Sequence, residues 1–233
     1  ESMENTARWL ADAAERAAGI GLEKILDAEA ITLLSTGLYS NTTLVSFLPT
    51  LAWGGTVVLM RKFDARAYLA TAQSARATHG MLVPVQYQRI MALEDFDQFD
   101  LSSFRYKFCT SAPFLAELKQ DVLARWPGRL IEFYGMTEGG GTCILDATGN
   151  PDKLHTVGRP APGCDIRLID ADGREVAQGE AGDWRDHRVV NGHRLSVGNF
   201  VGADGRRGQM SEGRNLFKSH RRHPRLNARA SPG

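Results

Sequence analysis

The sequence is short of cysteine, of long apolar runs and, over residues 184–233, of acidic side chains. Its 3 cysteines, Cys109, Cys143 and Cys164, show no Cys-x-x-Cys or Cys/His spacing. An odd, unspaced set argues against a disulfide framework and a zinc site, and fits a reducing, cytoplasmic compartment. No stretch approaches the ~18 apolar residues of a membrane-spanning helix. No charged-then-apolar leader comes after Glu1, so a signal peptide is not expected. What the chain does have is an ordinary globular balance, 42% hydrophobic and 24% charged, which excludes wholesale disorder.

The net charge of +1 hides two unlike parts. Residues 184–233 carry 11 Lys and Arg against 3 Asp and Glu, a net of +8, and residues 1–183 carry a net of −7. Four of the 6 histidines, His187, His193, His220 and His223, also fall in that last stretch. The change comes at Gly182-Asp183-Trp184, and such asymmetry marks an interaction tail or a segment under different constraints.

Periodicity changes at the same place. Before it, strand-like runs at Ile31–Ser35, Thr56–Met60 (β-branched), Gly80–Val83, Tyr106–Cys109 and Leu130–Phe133 alternate with helical patterns. The helices are predicted at Thr42–Trp53, from Asp64 as N-cap to about Thr78, after Pro84, and at Leu115–Trp126. Met3–Gly19 reads as an amphipathic helix. Strands alternating with helices of ~10–15 residues imply parallel βαβ units. The expected fold is therefore α/β, with helices flanking a parallel sheet over residues 1–141. A small β-rich part of the same domain occupies 142–183, with a hairpin turn at Asp170-Ala171-Asp172-Gly173. Residues 184–233 show neither period and are expected to be irregular.

The stretch richest in chemistry is Ile131-Glu132-Phe133-Tyr134-Gly135-Met136-Thr137-Glu138-Gly139-Gly140-Gly141. A strand delivers an aromatic ring, a glycine turn, a hydroxyl and a carboxylate at its carboxyl end, where open parallel sheets place ligands. The ring can stack a planar base, the Thr137 hydroxyl can bond a phosphate oxygen, and Glu138 can hold Mg²⁺. Read blandly, Thr137 caps a helix and Glu138 favours its first turn. His79 and His155, each alone near a helix end or a turn, and Cys109 on an inner strand, are read as structural.

Tyr134-Gly135-Met136-Thr137-Glu138 is similar to the YGxTE signature of the adenylate-forming superfamily, which includes acyl-CoA synthetases, luciferases and peptide-synthetase adenylation domains. The resemblance runs from about Ala30 to Asp183. It takes in Leu33–Leu48, Gly54–Met60, Met81–Ile90, Thr110–Pro113, Val157–Pro160 and Gly179–Asp183 in the family's order. It looks most like an acid–CoA ligase for a fatty or aryl acid. The resemblance implies catalysis by Thr137 and Glu138, with Glu138 as the Mg²⁺ ligand. It implies a nucleotide site of Ser111, Ala112, Pro113, Glu132, Phe133, Tyr134, Gly135 and Thr137. The implied acid pocket comprises Tyr39, Ser40, Asn41, Val85, Gly135, Met136 and Gly140. For Pro113 the plain reading is the first position of a helix, and for Tyr39 a half-buried aromatic at a strand end. ATP or AMP, Mg²⁺ and coenzyme A are the implied cofactors and co-substrates, a small carboxylic acid the substrate, and no nucleic acid the partner.

The family's Ser/Thr/Gly-rich phosphate loop, its Tyr-Arg-Thr-Gly-Asp segment and its lid lysine have no counterpart in this sequence. An incomplete, inactive part of such an enzyme is expected, with residues 184–233 read out of frame. A non-catalytic nucleotide-binding or interaction domain of the same fold is the alternative. Nucleic-acid binding through Arg221-Arg222-His223-Pro224-Arg225 lacks an interleaved aromatic platform.

Overall fold

The computed structural model describes residues 25–135 and 142–162, most of 164–177, and the backbone of short strands between 181 and 218. Seven strands make one sheet. They are β1 (Ile31–Leu34), β2 (Thr56–Leu59), β3 (His79–Leu82), β4 (Tyr106–Cys109), β5 (Arg129–Tyr134), β6 (Cys143–Asp146) and β7 (Arg159–Pro160), in the order β2-β1-β3-β4-β5-β6-β7. The first five run parallel. Helices α1 (Asn41–Ala52), α2 (Ala65–Ala75), α3 (Pro84–Met91) and α4 (Ala116–Arg125) connect them in turn. The alternation read from the sequence is thus the alternation found. β6 and β7 then extend the same sheet antiparallel.

Strand alternation divides the apolar residues between two faces. Leu34, Met81, Phe108 and Ile131 pack with Phe47 and Trp53 at the α1 face. Leu33, Leu82, Cys109 and Leu130 turn to the other face, with Tyr68, Leu69, Tyr87, Ile90 and Val122 of α2, α3 and α4. Trp126 is the node there, edge-on to Tyr68, Tyr87, Phe96 and Phe104 at centroid separations of 5.2–6.2 Å. Each such pair contributes ~0.5–1.5 kcal/mol beyond the area it buries. Lys107 is buried beneath this layer, and its ammonium donates to the carbonyls of Trp126 (2.8 Å), Pro127 (2.7 Å) and Gly128 (2.5 Å). It satisfies carbonyls of the C-cap of α4 and of the turn that leads to β5. Cys109 is buried and its thiol pushed up by that burial, as a structural cysteine should be.

One helix ends earlier than its sequence pattern suggests. Asp64 caps α2, its Oδ1 accepting from Ala67 N at 2.8 Å. Arg76 then adopts φ 50°, ψ 48°, and its N–H turns back to the carbonyls of Ala72 and Gln73. This left-handed residue stops the helix at Ala75, so His79 begins β3 rather than ending a helix. It is fully buried.

The described backbone beyond residue 165 is antiparallel. β8 (Ile166–Ile169) turns through Asp170, whose Oδ1 accepts from Asp172 N and Arg174 N at 2.9 and 2.8 Å. β9 (Ala181–Asp186) pairs β8, β12 (Val197–Phe200) and β13 (Gly208–Ser211), and β13 also pairs β14 (Leu216–Lys218). β10 (Val189–Val190) and β11 (His193–Arg194) form a small ladder. Short strands therefore stand where an irregular tail is expected from the sequence. Backbone pairing satisfies N–H and C=O groups without requiring an apolar face, so no side-chain period announces it. Among the described residues no helix is long and apolar enough to cross a membrane.

The chain moves from β1 to β2 on one side, then returns across β1 to β3 on the other. Doubly wound sheets open their ligand crevice at the carboxyl ends beside such a reversal.

Candidate functional site

Four loops leave the carboxyl ends of β1, β3, β4 and β5, and side chains tie the first three together. Gln86, in the first turn of α3, donates through Nε2 to Ser35 Oγ at 3.1 Å and accepts from Val83 N at 3.0 Å. It joins the loop after β1 to the loop after β3 at the reversal itself. Thr43 Oγ1 donates to Thr36 Oγ1 at 2.8 Å. The hydroxyls of Thr42 and Ser111 lie 2.7 Å apart, so the N-terminus of α1 meets the loop after β4. Ser111 has φ 78°, a left-handed conformation that costs a non-glycine residue ~1–3 kcal/mol.

The residues proposed to border an acid and a nucleotide fall on these loops. Tyr39 is 94% exposed rather than half-buried, and Leu38 beside it is exposed as well. Ser40 precedes α1 as its N-cap without a side-chain capping bond, and Asn41 is the first helical residue. Val85, in the first turn of α3, is exposed. Ser111, Ala112 and Pro113 form an exposed stretch. Pro113 lies before α4, whose N-cap is Leu115, and so does not open the helix.

β5 supplies the fourth wall. Its side chains alternate, so Phe133 turns to Phe108 with ring centroids 5.7 Å apart, and Glu132 turns inward on the α4 face. Glu132 is ion-paired with buried Lys119 of α4. Burial pushes the Glu132 carboxyl up to about 7, against the pull of the Lys119 ammonium. Lys119 also donates to Leu154 O (2.9 Å) and Thr156 O (3.1 Å) and lies 5.7 Å from the Phe114 ring centroid. Glu132 is thus buried and Phe133 half-buried, and Tyr134 and Gly135 are the residues β5 brings to the sheet's end. Tyr134 packs in part against Cys143, Val157 and Leu168. Gly158 has φ 84°, and a Cβ there would lie 1.8 Å from Ile144 O. Only glycine can let β7 approach β6 so closely.

Met136, Thr137, Glu138 and Gly140 lie outside the described residues, and with them the expected Mg²⁺ ligand. Among the described residues no three His, Cys, Asp or Glu side chains are grouped to hold a metal ion. His79 stacks on Tyr106 and Phe108, at centroid distances of 5.5 and 6.2 Å. Its Nε2 bonds Ile25 O and its Nδ1 bonds Thr78 Oγ1, so it is a satisfied core residue.

Sequence reasoning missed Thr42, Gln86 and Lys119. Lys119 did leave a signal. Leu118, Lys119, Val122 and Trp126 recur at helical spacing, and a lysine on that apolar stripe has to find a partner inside.

A family model described as AMP-binding enzyme matches residues 6–184. Feruloyl-CoA synthase of an Amycolatopsis species is 38% identical over 152 residues, which cover 65% of this chain and 30% of the relative. Indoleacetate–CoA ligase of Aromatoleum aromaticum is 34% identical over 163 residues, 67% of this chain and 30% of the relative. Among solved structures, the amide bond synthetase McbA of Marinactinospora thermotolerans superposes with a TM-score of 0.70 at 23% identity. That superposition covers 90% of this chain and 44% of McbA, and it shows a shared fold. This chain spans about 30% of the length of the two curated relatives.

Proposed function

This chain belongs to the AMP-binding enzyme family, and from that premise we propose that it is the nucleotide- and acid-binding part of an AMP-forming acid–CoA ligase. The reaction runs in two halves. A carboxylate oxygen attacks the α-phosphorus of Mg·ATP, releasing pyrophosphate and leaving an acyl-adenylate. The thiol of coenzyme A then attacks the acyl carbon, and AMP leaves. The convergence of four strand-end loops carries the reading. Tyr39–Asn41, Val85, Ser111–Pro113 and Tyr134–Gly135 all sit at carboxyl ends of β1, β3, β4 and β5, beside the reversal in strand order. In this reading Tyr134 lies along the adenine, and Ser111–Pro113 lines the pocket with small groups. Thr137 bonds the α-phosphate, and Glu138 holds the Mg²⁺ that arrives with ATP.

The acid is proposed to be an aryl acid. The two relatives are named for feruloyl and indoleacetate groups. The exposed Tyr39 ring is a planar group that an aromatic acid can stack on, and Leu38 and Val85 are exposed apolar side chains on the loops after β1 and β3. Residues 184–233 are proposed to lie outside the nucleotide-binding domain, as a stretch read from a shifted frame. The family match stops at residue 184, where the charge balance reverses. Another frame of the encoding DNA beyond Gly182 should then supply a Thr-Gly-Asp segment and a lysine-bearing lid.

Titration of the chain with Mg·ATP and with ferulate tests the site, and ATP–pyrophosphate exchange tests the chemistry. Saturable ATP binding that weakens about tenfold in Thr137→Ala is expected, since a hydrogen bond to a charged group contributes ~1.5–3 kcal/mol. Acid-dependent exchange is expected to stay at background, because this sequence holds no phosphate loop. Absence of ATP binding overturns the reading, and exchange at an ordinary ligase rate overturns its incomplete form.

A further inference from the structure

Resting on that reading, we infer that Lys119 and Glu132 are positioning residues for the nucleotide pocket: one buried ion pair fixes the three described segments that border it. The ammonium makes two hydrogen bonds and one ion pair, to three different residues. The ion pair is with the carboxylate of Glu132, two residues before Tyr134 on β5. The hydrogen bonds go to the carbonyls of Leu154 and Thr156, in the turn that leads to Val157-Gly158-Arg159-Pro160. The same ammonium lies 5.7 Å from the ring centroid of Phe114, next to Pro113 at the end of the small-residue loop. Both charged side chains are almost wholly inaccessible, at 1% and 4%. Glu132 faces Cys109 across the β4–β5 ladder and, after burial itself, adds to the upward push on that thiol.

Stability alone is a poor account of this arrangement. A buried ion pair replaced by neutral groups of similar volume often leaves a fold as stable as before, or more so. What a neutral pair cannot reproduce is one nitrogen held at once by a carboxylate of β5 and by two carbonyls of the 154–156 turn. Loss of that registry lets β5 and the 154–156 turn shift relative to the 111–114 loop. A misplacement of ~1 Å at such a wall can cost up to ~10²-fold in a step that depends on it. Lys119 and Glu132 touch neither substrate nor reacting atom, and act through Tyr134, Pro113 and Gly158.

The test compares the 233-residue chain with Lys119→Met, Glu132→Gln and the double variant. Three readouts are taken: the thermal midpoint, Mg·ATP affinity by calorimetry, and amide exchange. Each single variant leaves a buried polar group unpaired and is expected to melt earlier. The double variant, which leaves no unpaired charge inside, is expected to melt above either single variant. Even so, it is expected to bind ATP about tenfold more weakly. Its amides at 133–135 and 156–158 are expected to exchange several-fold faster than those of β1–β3. If the double variant recovers both affinity and local protection along with stability, the pair is merely structural and the inference is overturned. If the unaltered chain binds no ATP, the functional reading falls, and exchange at those two segments still decides the role of the pair. Should the double variant not fold, Glu132→Gln, which keeps the side-chain volume, carries the same comparison. Exchange at 133–135 and 156–158 no faster than at β1–β3 in that variant overturns the inference.

Discussion

His79 shows at the scale of one residue how the core constrains solution behaviour. Burial, foremost, together with the nearby Arg105 guanidinium, pushes its pKa down to about 4, against the pull of the Ile25 carbonyl and Asp27. An unfolded histidine titrates near ~6.5. Between the two values the unfolded chain binds the extra proton, so stability rises with pH through this window and is fully present above ~6.5. Acidification from pH 7 to pH 5 is expected to remove about 2 kcal/mol through this group alone. Urea unfolding at the two pH values measures it. His79→Phe, which keeps the stack on Tyr106 and Phe108, should flatten that part of the dependence while losing the Ile25 and Thr78 bonds. If the variant keeps the full acid sensitivity, other groups carry it.

At the scale of one element, α2 has two ends of opposite quality. Asp64 makes a capping bond to Ala67 N at 2.8 Å, and its replacement by alanine is expected to cost about 1 kcal/mol. Arg76 sits at φ 50° in a position suited to glycine. Arg76→Gly is expected to stabilise the chain by about 0.5–1 kcal/mol by removing left-handed strain. Urea midpoints at an unchanged slope would show both, in opposite directions. The same residue sets the register of the next strand. Past it, Ala77 N bonds Ala72 O at 2.9 Å and Thr78 N bonds Ile31 O at 2.9 Å, which commits His79 to β3. Helical spacing in the sequence carries through about Thr78 because it records which side chains are apolar. It does not record where the backbone turns left-handed.

At the scale of the whole molecule, the seven-stranded sheet takes its strands from residues 31–160, and among the described residues none of them pairs with β9–β14. Removal of residues 187–233 is therefore expected to leave the thermal midpoint within about 2–4 °C, the shift that ~1 kcal/mol produces in a domain of this size. A large loss of cooperativity would show instead that β12 and β13 hold β9, and through it β8, in place.

The sequence by itself determined the α/β class, the alternation that makes β1–β5 parallel, the Asp64 cap, the Asp170 turn and the break at Gly182–Trp184. Each is written in neighbouring residues, as a period, a cap, a turn or a charge count. It also placed Tyr134–Gly135 and Ser111–Pro113 at strand ends, because a strand leading into small or glycine residues is a local pattern. Only the tertiary structure decided that β2 lies outside β1, which creates the reversal and hence the crevice. Only it decided that β6 and β7 complete the sheet, that Gln86 meets Ser35, and that Thr42 meets Ser111. Lys107 and Lys119 would pass in a sequence for solvated lysines. They are buried because carbonyls and a carboxylate 13–37 residues away close around them. Spacing in a sequence records the face a side chain takes, whereas a partner across the fold exists only once the strands are ordered and the backbone has closed.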